Sequence, residues 1–273
     1  MAVVLREVGG TYRRLRIQKS TTEDIHAEDG RRPALDLSRW LSSLTVVPEY
    51  PPEDEDLATF SIAGLRVPRR ATIAVFLFVA LVVLDYNRTF FPPFLPHDQS
   101  PNGMRAQAVD RLIFFGVLPL LTVVFLFRDR PERYGLRVGD WRTGITLAVV
   151  GCVVMTPIVV LAAQVPDFQA YYAPSATTVP NLVVTNTLDL VPAEFLFRGF
   201  LMFALVRVIG PMGVVVATLP FAFTHLSKPE AETLSTLVGG LAFGWLNWRT
   251  GSILYSAAAH VFILTLLVAN ATG

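Results

Sequence analysis

Residues 179–210 read VPNLVVTNTLDLVPAEFLFRGFLMFALVRVIG, a long apolar stretch that carries Glu194 and Arg198 near its middle. A charged side chain at the depth of the bilayer costs several kcal/mol, so an ionisable residue inside a spanning helix indicates a functional site. Glu194 and Arg198 are four residues apart, which places both on one face of a helix where they can pair. The stretch therefore predicts a membrane helix with polar chemistry inside it.

The composition of the chain is that of an integral membrane protein. Of its 273 residues, 52% are hydrophobic and only 16% are charged, whereas a soluble domain has about 25% charged residues. The formal net charge of +1 argues against nucleic acid as a partner. The lipid bilayer is the first predicted partner.

Charge is concentrated at the N-terminus, which predicts two regions. Residues 1–70 contain 11 of the 23 Lys and Arg residues and 11 of the 22 Asp and Glu residues, with a proline-rich acidic stretch at 48–56. A segment of this composition buries little apolar area, so residues 1–70 are predicted to be a largely disordered polar tail. Residues 71–273 form the hydrophobic body.

Apolar segments in the body predict an all-α, polytopic transmembrane helix bundle with about seven spans. A hydrocarbon core of about 30 Å requires about 20 apolar helical residues. The candidate spans are Ala71–Tyr86, Leu112–Phe127, Gly144–Val165, Pro180–Val208, Met212–Leu226, Leu234–Trp248 and Ile253–Ala269.

Arginine placement predicts the orientation of the bundle. Arg66, Arg69 and Arg70 precede the first span, and further arginines lie in the loop at 128–142 between the second and third spans. Because cytoplasmic loops carry the excess of Lys and Arg, we predict a cytoplasmic N-terminus. The high ratio of Arg to Lys favours a bacterial plasma membrane.

Two later apolar segments each carry one histidine. His225 lies 15 residues after Gly210 and Glu194 lies 16 before it, so an antiparallel hairpin brings both to the same depth, about 23 Å from the turn. His260 is shallower in its own helix but within reach of a long side chain. We predict that these three residues and Arg198 share one intramembrane site.

Each of these residues also has a purely structural interpretation. The pair of Glu194 and Arg198 could hold helices together, His225 could be an interfacial histidine, and His260 could be a buried histidine bonded to a neighbouring helix. Two of only four histidines in the chain fall near one carboxylate. This convergence favours a functional site.

The chemistry that such a set permits is hydrolysis. A carboxylate can take a proton from water, and an arginine can orient that carboxylate. His225 and His260 could hold a zinc ion together with a carboxylate, leaving an open position for water. The same imidazoles could instead donate hydrogen bonds to the oxyanion that forms on the substrate carbonyl, with no metal bound. The sequence leaves both possibilities open.

Motifs on three segments resemble those of the CPBP family of intramembrane proteases, the CAAX prenyl endopeptidase and bacteriocin-processing (ABI) group. That family carries E-E-x-x-x-R-G, F-x-x-x-H and H-x-x-x-N. Here residues 193–199 read AEFLFRG, residues 221–225 read FAFTH and residues 260–264 read HVFIL. The similarity covers roughly residues 112–267 and implies that Glu194, Arg198, His225 and His260 are retained site residues.

Two positions depart from the family pattern. Ala193 stands where the family has the glutamate that activates water, and Leu264 stands where it has an asparagine. Losing a general base costs roughly two to four orders of magnitude in rate. Glu194 turned inward, or Asp189 one helical turn before Ala193, could replace the missing carboxylate.

The resemblance implies an intramembrane endopeptidase, a hydrolase that cleaves membrane-associated or lipidated protein and peptide substrates through a Glu/His-activated water. The alternative is a catalytically impaired pseudoprotease that binds a substrate or partner in the same cavity. A transporter with Glu194 and the histidines as a proton relay ranks last, because transporters often show internal repeats and none stands out in this sequence.

Overall fold

A computed structural model describes residues 48–87 and 98–273, the isolated residues Ser42, Leu44 and Val46, and the backbone of 5–8 and 11–14. The chain divides into two compact units, Met1–Leu44 and Thr45–Gly273. In the first unit, strand β1 (Leu5–Val8) pairs antiparallel with strand β2 (Thr11–Arg14).

The second unit begins with a short helix and a hairpin. Helix α1 (Asp54–Leu57) is followed by strand β3 (Thr59–Ile62), which pairs antiparallel with strand β4 (Leu65–Pro68). The two residues between the strands, Ala63 and Gly64, both have positive φ. Such angles are required by the two-residue turns that match the twist of a hairpin.

Nine helices of the described part then follow, and each of the seven predicted segments corresponds to helix. They are α2 (Arg69–Asn87), α3 (Pro101–Leu126), α4 (Trp141–Ala162), α5 (Pro166–Tyr172), α6 (Val179–Glu194), α7 (Met202–Ile209), α8 (Met212–Phe223), α9 (Glu230–Thr250) and α10 (Leu254–Ala271). The all-α prediction is confirmed for the body.

Four of these helices, α2, α3, α4 and α10, are long and apolar enough to cross a membrane, by length and composition. The predicted count of seven spans is therefore not confirmed. Helix α8 is apolar but has only 12 residues. The continuous segment from α6 to α7 is longer but is interrupted by Asp189, Glu194, Arg198 and Arg207.

Large apolar side chains cover the outer faces of the long helices. Phe76 on α2 is 69% exposed, and Val153 and Leu161 on α4 are 67% and 71% exposed. Contiguous exposed apolar surface of this kind marks contact with a membrane or another apolar partner. Together with the apolar helices, it identifies an integral membrane protein, while the bacterial membrane and the cytoplasmic N-terminus stay predictions.

The larger core surrounds a π-helical segment, Phe195–Leu201, that joins α6 to α7 without a break and is buried along its whole length. Phe200 stacks against Phe127 with ring centroids 6.0 Å apart and against Tyr134 at 6.3 Å. Helices α2, α3 and α8 pack around this segment. Helix α10 packs against α4 and α6, and a second core lies between them.

Four side chains of alternating charge, of which Asp56 and Arg70 are buried and Asp129 and Arg133 half-buried, connect α1, α2 and the loop after α3. The carboxylate of Asp56 accepts hydrogen bonds from Arg70 (3.0 Å) and Arg133 (2.6 Å). Asp129 accepts from the same two arginines, at 3.2 Å and 2.7 Å. Arg70 also donates to the carbonyl oxygen of Phe127 at 2.8 Å, so the buried charges are paired and hydrogen-bonded, as burial requires.

This network places residues 48–68 in the helical unit. The hydroxyl of Tyr50 also donates to the carbonyl oxygen of Trp248 at 2.6 Å. The predicted disorder of residues 1–70 is thus not confirmed for this stretch, and the structure divides the chain after Leu44 instead of after residue 70. For residues 15–41 the prediction lies outside the described residues.

Asp56 gives the network a dependence on pH. Burial alone would raise the pKa of Asp56, but hydrogen bonds from the amide of Glu53 and from Arg70 and Arg133 outweigh burial and hold this pKa below its ordinary value. A carboxyl group whose pKa is lowered by folding stabilises the folded state at neutral pH. That contribution is lost as the pH falls through the lowered pKa.

We expect Asp56→Asn to lower the free energy of unfolding by roughly 3 kcal/mol at neutral pH, because the buried guanidinium of Arg70 and the half-buried guanidinium of Arg133 lose a shared carboxylate. Glu55→Gln is the matched control, since Glu55 pairs with Arg69 at the surface and an exposed pair contributes at most about 1 kcal/mol. Thermal unfolding in detergent measures both variants. In a series of increasingly acidic buffers the difference in free energy of unfolding between the natural chain and Asp56→Asn should become smaller. A difference independent of pH would contradict the lowered pKa of Asp56.

Candidate functional site

A change of helix type positions the central carboxylate. Pro192, inside α6, has no backbone N–H and cannot make the usual hydrogen bond to the preceding turn. The helix turns into the π-helical segment directly after Glu194, and single π-helical turns occur frequently at functional sites. A Cβ atom on Gly199 would lie 2.8 Å from the carbonyl oxygen of Tyr134, so glycine permits the close approach of this segment to the loop after α3.

Glu194 is completely buried and accepts three hydrogen bonds. Arg198 donates to Oε1 at 3.0 Å, and the Nδ1 atom of His260 lies 2.8 Å from the same oxygen. Ser256 donates to Oε2 at 3.0 Å. An ionised carboxylate out of water is tolerated only with such partners, and here two of the three come from α10.

The contact with Glu194 fixes the form of the His260 ring. Because an ionised carboxylate only accepts hydrogen bonds, Nδ1 of His260 carries the hydrogen. Its Nε2 atom is then the nitrogen that can accept a proton or a hydrogen bond. No partner of this Nε2 occurs among the described residues.

Phe221 on α8 connects the arginine with both histidines. The guanidinium of Arg198 lies 3.8 Å from the centroid of its ring, in the range of a cation–π interaction. The same ring lies 4.6 Å from the ring of His225 and 5.9 Å from that of His260. Three of the four predicted site residues, Arg198, His225 and His260, therefore lie around one aromatic side chain.

His225 lies two residues after the end of α8 and is partly exposed. Its Nδ1 atom lies 2.8 Å from the carbonyl oxygen of Phe221. Since a carbonyl oxygen only accepts, Nδ1 donates and Nε2 is left as an acceptor, as in His260. The structure does not place His225 in contact with Glu194.

Both histidines line a cavity of about 350 Å³. Its wall also contains Ala193 and Leu264, so both departures from the family pattern face the same space. Glu194, with no exposed surface, lies behind this wall and in contact with His260. The structure therefore brings the four predicted residues into one neighbourhood but places only the two histidines in the cavity wall, and the shared functional site stays a prediction.

Asp189 also lines the cavity, but it is held in an ion pair. Nη1 of Arg111 lies 2.9 Å and 3.1 Å from its two carboxylate oxygens, and Nε of Arg111 lies 3.2 Å from Asp85. Both carboxylate oxygens of Asp189 are thus engaged by Arg111 and are not free to bind a water molecule. The geometry therefore does not favour Asp189 as the replacement for the missing glutamate.

The described residues include no group of three or more His, Cys, Asp or Glu side chains that could hold a metal ion. Catalytic zinc sites use three protein ligands and an open position. His225 and His260 each use Nδ1 for a protein contact, and together they supply two ligands. The site as it stands does not fit a zinc ion, so the metalloprotease hypothesis is not supported.

Sequence reasoning missed three residues of the site. Ser256 lies four residues before His260, on the same helix face, and this spacing was the available signal. Arg111 borders an apolar segment, where a charge suggests a buried partner. Phe221 belongs to the quoted motif, but its contacts with the arginine and both histidines depend on helix packing.

Comparison with known families agrees with this arrangement. Residues 175–266 match a family model described as Rce1-like, Type II CAAX prenyl endopeptidase Rce1-like. The predicted resemblance to the CAAX-protease type is thus confirmed for residues 175–266 of this helical membrane protein. The Rce1-like segment contains all four retained site residues. No curated protein and no solved structure was found to match.

Adjacent glycines on α9 test the packing that holds Phe221 in place. A Cβ atom on Gly240 would lie 2.7 Å from Thr218 Cγ2 and 3.2 Å from the Phe221 ring, whereas one on Gly239 would have no neighbour within 4 Å. We expect Gly240→Ala to destabilise the fold by about 1–3 kcal/mol through overpacking. Gly239→Ala should be neutral or stabilise the helix by up to about 1 kcal/mol.

The measurement is the unfolding temperature of the two alanine variants and of the natural chain, all determined in the same detergent. Equal unfolding temperatures for Gly239→Ala and Gly240→Ala would show that α8 and α9 do not pack as closely as described.

Proposed function

We propose that this chain is an intramembrane endopeptidase that hydrolyses peptide bonds in membrane-associated or lipid-modified protein tails, with His260 activating the water. The observation that carries the proposal is that His260 lines the cavity while its Nδ1 atom lies 2.8 Å from the buried carboxylate of Glu194. A carboxylate behind an imidazole holds the ring in one tautomer and stabilises the imidazolium that forms when Nε2 takes a proton.

The reaction follows from these atoms. Nε2 of His260 accepts a proton from water as the water oxygen attacks the carbonyl carbon of the scissile bond. The proton then passes to the amide nitrogen as the C–N bond breaks, giving a carboxylic acid and an amine. Nε2 of His225, a second acceptor in the same cavity, would hold the other hydrogen of the water.

Glu194 and Arg198 have indirect roles in this scheme. Glu194 orients His260, and Arg198 balances the charge of Glu194 at 3.0 Å. Ser256 holds the second oxygen of Glu194 at 3.0 Å. None of these three residues needs to touch the substrate, which agrees with their burial.

Substrate class is inferred from the cavity and the family. The cavity wall combines apolar groups, among them Phe197, Phe221 and Leu264, with polar groups such as Asn186 and Lys228. A wall of this kind suits an extended peptide with apolar side chains or an attached lipid chain. The printed description of the matching family, a CAAX prenyl endopeptidase, supports the same class.

Ala193 favours a second candidate function, a pseudoprotease that binds its partner in the cavity without cleaving it. The side chain that would activate water in the family is a methyl group here, and the neighbouring carboxylate of Asp189 is paired with Arg111. The choice between the two functions depends on whether His260 is a sufficient base.

We expect His260→Ala and Glu194→Gln to lower the rate of cleavage of a lipidated reporter peptide in detergent by roughly 10²–10⁴-fold, because each removes part of the base. Glu55→Gln, the same change as Glu194→Gln at an exposed surface ion pair, should leave the rate unchanged. Thermal unfolding of each variant separates a lost base from a lost fold.

Ala193→Glu tests the role of the missing carboxylate. Placed in the cavity wall, the new carboxylate should raise the rate of cleavage. If the natural chain binds the reporter but cleaves it no faster than His260→Ala does, and Ala193→Glu cleaves, then the pseudoprotease is the correct function. Asp189→Asn, in contrast, should cleave as the natural chain does.

We expect cleavage to survive a metal chelator, since the described residues offer no three-ligand metal site. The measurement is the rate before and after removal of metal, together with metal analysis of the purified protein and of His225→Ala. A stoichiometric zinc ion that is absent from His225→Ala, with activity lost on chelation, would overturn the metal-free scheme.

A further inference from the structure

A second cleft, separate from the cavity, has an excess of positive charge. It has a volume of about 230 Å³ and is lined by Arg133, Arg137 and Arg207 together with Tyr50 and two glutamates. We propose that this cleft binds a phosphate group, carried by an anionic lipid or free in solution.

Arg207, on α7, is the buried cation on which the proposal rests. It is 5% exposed, and no carboxylate forms a salt bridge with it among residues 48–87 and 98–273. One nitrogen, Nη2, donates to the carbonyl oxygen of Arg133. The other, Nη1, is buried with no hydrogen-bond partner, and an unsatisfied buried group of this kind calls for a water or an ion.

Other buried arginines of the body show what is missing at Arg207. Arg70 pairs with Asp56 and Asp129, and Arg198 pairs with Glu194. Removing a charge from water without a counter-charge is strongly unfavourable. Arg207 has the burial of these residues without the carboxylate, so an anion in the cleft would complete its environment.

Neither nearby tyrosine supplies that negative charge. The guanidinium of Arg207 lies 4.7 Å from the ring centroid of Tyr134. Burial raises the pKa of Tyr134 to about 12. Burial likewise raises the pKa of Tyr50, although Arg137 and Arg207 partly oppose it. Both phenols stay neutral at physiological pH, so the positive charge of the cleft is not cancelled by them.

Arg137 provides a second, accessible guanidinium at the cleft. Its Nε atom donates to the carbonyl oxygen of Gly251 at 2.8 Å, and a Cβ atom on Gly251 would lie 2.2 Å from Nη2 of Arg137. Glycine at this position, with φ of +69°, therefore leaves room for the arginine. No carboxylate within the described residues forms a salt bridge with Arg137.

Two other charged side chains of the cleft, those of Arg133 and Glu49, do not balance Arg207, because the first is already ion-paired and the second is exposed to solvent. Arg133 pairs with Asp56, Asp129 and Glu53. Glu49 lies exposed in the cleft wall. Two guanidinium groups, of Arg137 and Arg207, are thus left to balance an anion. Guanidinium groups match the oxygens of a phosphate with paired hydrogen bonds.

The position of the cleft agrees with a lipid source of the phosphate. Arg207 lies in the last turn of α7, and Arg137 lies in the loop between α3 and α4. Helix ends of a membrane protein lie near the lipid headgroups, and basic pockets at this level bind anionic headgroups. The same loop is the one predicted to be cytoplasmic from its arginines.

The test is a binding titration of the full chain in an uncharged, phosphate-free detergent. The probes are short-chain phosphatidic acid, short-chain phosphatidylcholine and inorganic phosphate, read by calorimetry and by the shift in unfolding temperature. Arg207→Met and Arg137→Gln remove the proposed ligands. Arg142→Gln is the matched control, because Arg142 is an exposed arginine that stacks on Trp141 and does not line the cleft.

We expect saturable binding of phosphatidic acid with a raised unfolding temperature. Affinity should fall roughly tenfold or more in Arg207→Met and in Arg137→Gln, the loss for a hydrogen bond to a charged group, and stay unchanged in Arg142→Gln. Glu49→Gln should bind more tightly, because a negative charge leaves the cleft. This last variant keeps both arginines and therefore tests the charge balance without disturbing Arg207.

The arms of the titration separate the sources of the phosphate. Arg207-dependent binding of phosphatidic acid alone supports a lipid site, and Arg207-dependent binding of inorganic phosphate as well supports a general phosphate site. The proposal is overturned if no probe saturates, if phosphatidylcholine binds as tightly as phosphatidic acid, or if Arg142→Gln loses as much affinity as the two cleft variants.

Discussion

The burial of one carboxylate constrains the architecture around the cavity. Glu194 has no contact with solvent, and an ionised carboxylate in such surroundings needs several donors to offset its lost hydration. One donor, Arg198, comes from the same helix, but Ser256 and His260 come from α10. Helix α10 must therefore dock in one register against the π-helical segment. That register fixes His260, whose Nδ1 atom points to Glu194 while the ring lines the cavity. The packing of α10 and the proposed role of His260 thus depend on the same three hydrogen bonds.

Local spacing predicted the parts of the site that lie within one helix, but packing decided the rest. Glu194 and Arg198 are four positions apart, and the ion pair expected from this spacing forms. The approach of His260 to Glu194 was also anticipated, since both were assigned to one site. Which face each residue turns to the cavity could not be read from spacing, because Pro192 and the π-helical segment change the phase of the helix. Ala193, and not Glu194, lies in the cavity wall.

Composition gave the wrong prediction of disorder where charged residues pair with residues distant in the sequence. The acidic, proline-rich stretch before the first long helix has the composition of a disordered segment. Asp56 nevertheless pairs with Arg133, 77 residues later, and the charges that suggested disorder hold the stretch in place. Asp189 is a similar case, since its partner Arg111 is 78 residues away. A hydropathy count treats such residues as interruptions, which is also why it cannot assign the segment from α6 to α7.

Several charged side chains in and behind the cavity wall are ion-paired, whereas the two histidines are not part of a carboxylate–arginine pair. The charge of Glu194 is balanced by Arg198, and Arg111 lies between Asp189 and Asp85. These groups are already engaged in ion pairs, and breaking a buried ion pair costs several kcal/mol. His225 and His260 line the same cavity, and each keeps Nε2 as an acceptor. Of the two imidazoles, only that of His260 lies against a carboxylate, with Nδ1 2.8 Å from Glu194, and this contact is the reason why the proposed proton transfer is assigned to His260 and not to His225.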